Sequence, residues 1–275
     1  MKRHQIGMLL ALLGVIGGLL ALYFIAATYN TVIHAHFQAG EWEEANTVRI
    51  VYAVLGWIGT AAGVLSAVVL WGFWQREPWA WYWGAIAATL LILAGFFPMI
   101  PAADSGLPTP TVWVFLLGTV MWFGMLLLGG VDKRIIALTF VAGMAFVLTF
   151  INGVAPISKF QSTFQRPQDF QPGPRAFWNG MYIILQQVNW WGAAAWACFI
   201  FGAIRRRPWA LPVGLFAALM SMLGGYILGI HHMLEAKRFS MFLPAPILST
   251  ILFFVLLSPP VRRLLQAPST ASQNA

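Results

Sequence analysis

Charge is scarce in this chain: only 9% of its 275 residues are Asp, Glu, Lys or Arg, where a soluble domain carries about 25%. Cysteine is nearly absent as well. The single Cys198 sits in an apolar run, so no intrachain disulfide is possible and cysteine usage does not reveal the redox compartment. No Ser-His-Asp set, Walker loop, CxxC pair or Gly-rich nucleotide loop is present, which removes the usual sequence marks of hydrolases, nucleotide-binding proteins and thiol oxidoreductases. No ionisable residue lies in the central part of any long apolar run, and that weighs against proton- or ion-coupled transport. The net charge of +8 does not point to nucleic acid. The charges lie in short clusters between apolar segments and form no basic face that could follow a phosphate backbone.

What the chain does have is apolar length: 60% of its residues are hydrophobic, with 14 Trp and 21 Phe. A helix needs roughly 20 apolar residues to cross the hydrocarbon core, where no backbone polar group can go unpaired. Eight segments meet or approach this, at about 6–27, 49–74, 80–101, 110–130, 134–155, 178–204, 209–232 and 245–258. The expected fold is an all-α, polytopic transmembrane helix bundle. Trp and Tyr crowd the segment ends, as in Phe73 to Trp83 (FWQREPWAWYW), the pattern of an interfacial aromatic belt. The first segment is too long for a signal-peptide core and has no convincing cleavage site, so it reads as an uncleaved span.

The distribution of Lys and Arg predicts the orientation. With the N-terminus inside, ten of the 16 basic residues fall on the cytoplasmic side: Lys2, Arg3, Arg76, Lys133, Arg134, Arg205, Arg206, Arg207, Arg262 and Arg263. Six of the eight acidic residues fall outside. Both termini are therefore expected in the cytoplasm, in a bacterial-type inner membrane.

The second half of the sequence echoes the first. Arg76 to Gly84 (REPWAWYWG) and Arg206 to Gly214 (RRPWALPVG) share Arg, Pro, Trp, Ala and Gly in register at an offset of 130 residues. The same offset pairs Tyr52 with Tyr182, Gly72 with Gly202 and Gly95 with Gly225. Each motif follows one apolar segment and opens the next; Pro at a helix start costs nothing because its missing N–H would be unpaired there anyway, and Trp anchors the helix start in the interface. This predicts two tandem four-helix repeats over 1–131 and 132–263, related by a pseudo-two-fold axis along the membrane normal, and a disordered cytoplasmic tail over 264–275. Gly14/Gly18, Gly59/Gly63 and Gly225/Gly229 match the small-xxx-small pattern of tight membrane helix packing.

Three groups of residues are candidate sites. The first is a metal site from the outward-facing histidines: His34 and His36 after span 1, and His231 and His232 after span 7, with Glu235. His231 and Glu235 are four apart and would share one helix face. His34 and His36 would point to one side of an extended segment, near the acidic Glu41, Glu43 and Glu44. The alternative is that these are interfacial histidines bonded to water, headgroups or helix-end carbonyls. A haem reading would require histidines at membrane depth, and the spans have none, so no cofactor is assigned.

The second candidate is the polar cluster Gln186, Gln187 and Asn189 near the middle of span 6, beside Trp190 and joined by Asn152, with Asn30 and Tyr29 extending the polar path. It reads either as a small-molecule or lipid-headgroup pocket between the repeats or as amide groups gluing helices together. The third is the outer connection Pro156 to Gly180, whose Phe160, Phe164, Phe170 and Phe177 could lie in the interface, cap a pocket or dock a partner. The expected function is a non-catalytic accessory or structural membrane component holding a lipid or other apolar ligand between its repeats. Membrane lipids, and other membrane subunits, are the expected partners, with no nucleic acid. The rivals are a metal or redox enzyme using the histidines and a carrier for an uncharged small molecule.

Overall fold

In the computed structural model, which describes residues 2–154, 157, 173–237 and 239–266, every regular element is a helix. In chain order these are α1 (Lys2–Gln38), α2 (Trp42–Trp74), α3 (Ala80–Phe96), the short α4 (Met99–Asp104), α5 (Val112–Leu128), α6 (Lys133–Val154), α7 (Pro174–Ile204), α8 (Ala210–Ala236), α9 (Pro244–Leu257) and α10 (Pro259–Gln266). Phe160, Phe164 and Phe170 of the long connection, and the side chain of Glu235, lie outside the described residues. The tail expected from 264 begins inside α10, which carries the helix to Gln266; Leu265 is buried there.

Five stretches are long and apolar enough to cross a membrane: Lys2–Gln38, Glu44–Trp74, Ala80–Asp104, Lys133–Val154 and Ala210–Leu234. A sixth arises if α9 and α10, bent by 73° at Ser258, count together. The chain is therefore a helical membrane bundle. The eight expected segments all form helices, but they are not equal. Helix α5 has 17 residues, about 25 Å at 1.5 Å per residue. Helix α7 is long, but Gln186, Gln187 and Asn189 dilute its apolar character.

The interior is built from small side chains. Ala11, Ala21, Ala62, Ala87, Ala88 and Ala94 in the first half, and Ala142, Ala145, Ala203, Ala217 and Ala218 in the second, are fully covered. Large apolar residues such as Leu19, Trp57 and Phe254 are more than 60% exposed. That inversion suits a lipid solvent, which neither repels Leu nor drives it inward, so helices associate through close packing instead.

The chain divides into two compact units, Met1–Asp132 and Lys133–Ala275. In the first, α1 packs on α2, α2 on α3, α3 on α5 and α5 back on α1, with α1 also touching α3. In the second, α6 packs on α7, α7 on α8, α8 on α9 and α9 back on α6, with α6 also touching α8. The Arg-x-Pro-Trp hairpin takes one form in both. Arg76 (φ 62°) and Arg206 (φ 49°) adopt the left-handed conformation. The next residue's N–H then reaches back to the last turn, Glu77 to Gly72 O at 2.9 Å and Arg207 to Gly202 O at 2.8 Å, which is the Schellman closure. The Trp after each proline packs on the same glycine: a Cβ on Gly72 would come within 2.6 Å of the Trp79 ring, and one on Gly202 within 2.5 Å of Trp209. The tryptophans thus clamp one hairpin arm to the other, a role beyond the interfacial anchoring expected of them.

The tightest approach joins α1 to α2. A Cβ on Gly18 would collide with the Gly63 backbone, and one on Gly63 would lie 3.0 Å from Gly18 Cα. Gly63→Val is expected to lower the thermal stability of the detergent-solubilised protein, by about 1–3 kcal/mol of overpacking cost. Gly143→Ala, where an added Cβ meets nothing within 4 Å, should leave the melting temperature unchanged or slightly raised. Scanning fluorimetry on the two variants checks this; equal melting curves would remove the close approach as a determinant of the fold.

Candidate functional site

The polar residues of span 6 fall on different faces of α7. Gln186 and Asn189 are buried, whereas Gln187 and Trp190 are exposed, as the 100° step of a helix requires. Asn189 is fully covered. Its Nδ2 donates to the carbonyl of Leu185 one turn back at 2.9 Å, and its amide lies flat on Gly224 of α8, where any Cβ would come within 2.7 Å of it. Its Oδ1 is buried without a hydrogen-bond partner. Asn152, on α6, donates through Nδ2 to the Phe242 carbonyl at 2.8 Å. It thereby satisfies a carbonyl just before α9. Trp190 stacks on Phe150 at 5.9 Å and covers Gly153.

A second polar junction, not anticipated from sequence, lies on α8. Ser221 Oγ is 2.8 Å from Thr149 Oγ1 of α6 and accepts from Trp196 Nε1 of α7 at 3.1 Å. All three side chains are fully buried. One hydroxyl therefore ties three helices together. The signal available was Ser221 itself, a lone serine in an apolar span, the same kind of anomaly that singled out Asn189.

The histidines separate into distinct environments. The segment holding His34 and His36 is the last part of α1 and not an extended strand, so the expectation that both point to one side does not hold; two residues apart on a helix they face nearly opposite ways. His34 is exposed and His36 is 3% exposed. Beyond His36, α1 closes with a Schellman turn through Gly40 (φ 79°), with Glu41 N–H bonded to His36 O at 3.0 Å. That turn throws the Glu41 carboxylate back onto the ring, Oε2 lying 2.7 Å from His36 Nδ1. The end of α4 arrives from the other side. It closes the same way through Gly106 (φ 67°), setting Ser105 Oγ 3.2 Å from His36 Nε2. Asp104 completes the group: one ligand atom each from His36, Glu41 and Asp104 lie within 4.8 Å of one another. Glu41 was visible in the sequence as a neighbour of His36. Asp104 and Ser105 were not, because only the fold brings α4 to the end of α1.

Hydroxyl, imidazole and carboxylate stand here in the hydrogen-bond order of a nucleophilic relay. The backbone N–H groups around Ser105 are nevertheless spent. Those of Ser105, Gly106 and Leu107 bond to Pro101 O, Ala103 O and Ala102 O, which leaves none of the three to stabilise an oxyanion.

In the second unit, His231 stacks on Trp178 with centroids 3.5 Å apart, and its Nδ1 lies 3.2 Å from the Tyr182 hydroxyl. His232 turns away toward Phe242, with Nδ1 buried and unpartnered. The two adjacent histidines thus engage different neighbours, and the side chain of Glu235 lies outside the described residues.

These features define a helical membrane protein with an interhelical hydroxyl junction in the second unit and a histidine–carboxylate cluster at one end of the first. Comparison with protein-family models, curated proteins and solved structures finds no match to the chain.

Ser221→Ala should destabilise the protein by about 1–3 kcal/mol, because it strands the buried Trp196 N–H and removes the partner of Thr149. Gln187→Leu, on the exposed face, should cost nothing measurable. Thermal denaturation of both variants in one detergent checks the contrast, and equal stability would remove Ser221 from the list of groups holding the bundle.

Proposed function

We propose that the chain is a non-catalytic, multi-pass component of a bacterial-type inner membrane, built of two tandem four-helix repeats, that holds lipid acyl chain against its first repeat. The observation that carries this reading is an open apolar groove between α1 and α2. Its walls include Leu22, Ile25, Ala26, Ala53, Gly56 and Trp57, with a volume of about 350 Å³. It shares Trp57 and Thr60 with a second groove along α2 of about 570 Å³, lined onward by Ala61, Val64, Leu65 and Val68. Small residues at 26, 53 and 56 leave the channel, and Trp57 forms its wall. The lining is mostly apolar; besides Tyr29 and Tyr52 it includes Thr60, whose hydroxyl donates to its own helix at Gly56 O at 2.8 Å, and such a surface suits a hydrocarbon chain better than a polar substrate.

The groove lies within the first unit, so the expected ligand position between repeats gives way to this one in the proposal. The matched circuits of helix packing and the matched Arg-x-Pro-Trp hairpins support the tandem repeat. The Lys and Arg distribution supports cytoplasmic termini. Of the polar groups considered for a carrier pocket, Asn152 favours the glue reading by bonding the Phe242 carbonyl, while Asn189 Nδ2 bonds its own helix at Leu185; Thr149, Ser221 and Trp196 add an interhelical junction in the same unit.

Gly56 tests the groove. A Cβ there would make only an ordinary 3.7 Å contact with Ile25, so the helices tolerate a side chain, while Gly56→Phe fills the space. Native mass spectrometry of the purified protein should show retained phospholipid in the wild type and its loss in Gly56→Phe at unchanged helicity. A wild type that retains no lipid, or a variant that retains as much, would overturn the reading.

A further inference from the structure

We propose that His36, Glu41 and Asp104 form a binding site for a divalent transition-metal ion of the zinc class, which pins the end of α1 to the end of α4. This goes beyond the lipid reading and does not depend on it.

The donor set is one imidazole and two carboxylates, which suits Zn²⁺ and its first-row neighbours. Their ligand atoms lie within 4.8 Å of one another. Tetrahedral bonds of about 2.1 Å need neighbouring donors about 3.4 Å apart. The widest separation must close by up to about 1.4 Å, and Glu41 Oε2, 2.7 Å from Nδ1, must swing outward by about 0.7 Å; the exposed carboxylates can supply both movements, the Glu41 side chain being 43% exposed and Asp104 exposed. The buried imidazole need not move. Three protein ligands leave a fourth position for water.

The second partner of the ring fits the same assignment. Ser105 Oγ lies 3.2 Å from Nε2, so it can accept the Nε2–H. With an ion on Nδ1 in place of the proton shared with Glu41, the Nε2–H would donate to Ser105, the outer-sphere arrangement ligating histidines usually have.

Charge favours the same occupant. Two carboxylates, Glu41 between α1 and α2 and Asp104 in the last turn of α4, converge on one imidazole, and a divalent cation among them would be attracted to both.

The test uses full-length protein in detergent, stripped with chelator and titrated with Zn²⁺ against a chromophoric competitor, then with Co²⁺ to read ligand-field bands. One saturable site is expected, with the visible intensity of a four-coordinate cobalt centre. His36→Ala and Asp104→Asn should each weaken it by at least about 100-fold, the scale on which even outer-sphere changes act. His34→Ala, on the opposite face of α1, should leave it unchanged. Asp104→Asn, exposed and nearly isosteric, keeps the test decisive if His36→Ala fails to fold. Absence of saturable binding in the wild type, or binding that survives Asp104→Asn, would overturn the proposal.

Discussion

Helix backbones in this protein touch, and most of its other features follow from that contact. Gly18 and Gly63 meet across α1 and α2, Gly59 rests against Ala21 and Ala94, and Gly95 admits the backbone of Phe115. In a hydrocarbon solvent, burying Leu gains nothing over leaving it exposed, so association depends on dispersion contacts, and these are richest where small residues let backbones approach. The large side chains are thereby pushed outward. Where small residues reach the lipid-facing side, as at Ala26, Ala53 and Gly56, the same logic leaves a groove instead of a ridge.

The two units apply this packing with different chemistry. In the first, Gly59 presents no side chain and Ala94 fills the contact. At the positions 130 residues later, the bulk is reversed: Asn189 supplies the large side chain and Gly224 makes room for it. The exchange moves the side chain from one helix of the pair to the other and enlarges it, from a methyl group to an amide. It also introduces an amide into a helix interior, and an amide must be paired. The second unit pairs the Asn152 and Asn189 Nδ2 groups with backbone carbonyls and Thr149 and Trp196 with Ser221, leaving Asn189 Oδ1 without a partner, whereas the corresponding positions of the first, Gly59 and Leu91, are apolar. An interhelical hydrogen bond in a membrane contributes only about 0.6 kcal/mol on average. Its larger effect is on register, since Ser221 meets Thr149 and Trp196 at only one alignment of three helices.

The all-helical membrane fold was legible because apolar length and charge scarcity are properties of composition and spacing, and the hairpin motif could be read because its residues act locally. Arg, Pro and Trp meet the glycine of the preceding turn, all within eight residues. The polar sites were half legible. Asn152 and Asn189 stand out in apolar runs, but whether an amide lines a pocket or bonds a carbonyl depends on what faces it; the Phe242 carbonyl lies 90 residues from Asn152. Periodicity misled at His34 and His36. The apolar run ends well before them, so the segment looked extended, yet α1 continues to Gln38 because Phe37, Val32 and Ile33 keep packing after the hydrophobic core is crossed. The partnership of His36 with Asp104 and Ser105 was beyond sequence, since Schellman turns at two separate glycines bring the groups together.

That continuation of α1 also explains how a charged cluster coexists with a bundle so poor in charge. A helix of 37 residues is about 55 Å long, and the hydrocarbon core is about 30 Å thick. An apolar stretch beginning near Ile6 is spent by about Ile25, so the last turns of α1 stand clear of hydrocarbon. His36, Glu41 and Asp104 therefore sit where carboxylates keep their water and an ion can reach them, while Asn152, Asn189 and Ser221 take their partners from within the protein. Position along the helix thus separates the two kinds of polar group. Those at depth hold helices together, and those at the rim remain free to exchange water for a ligand.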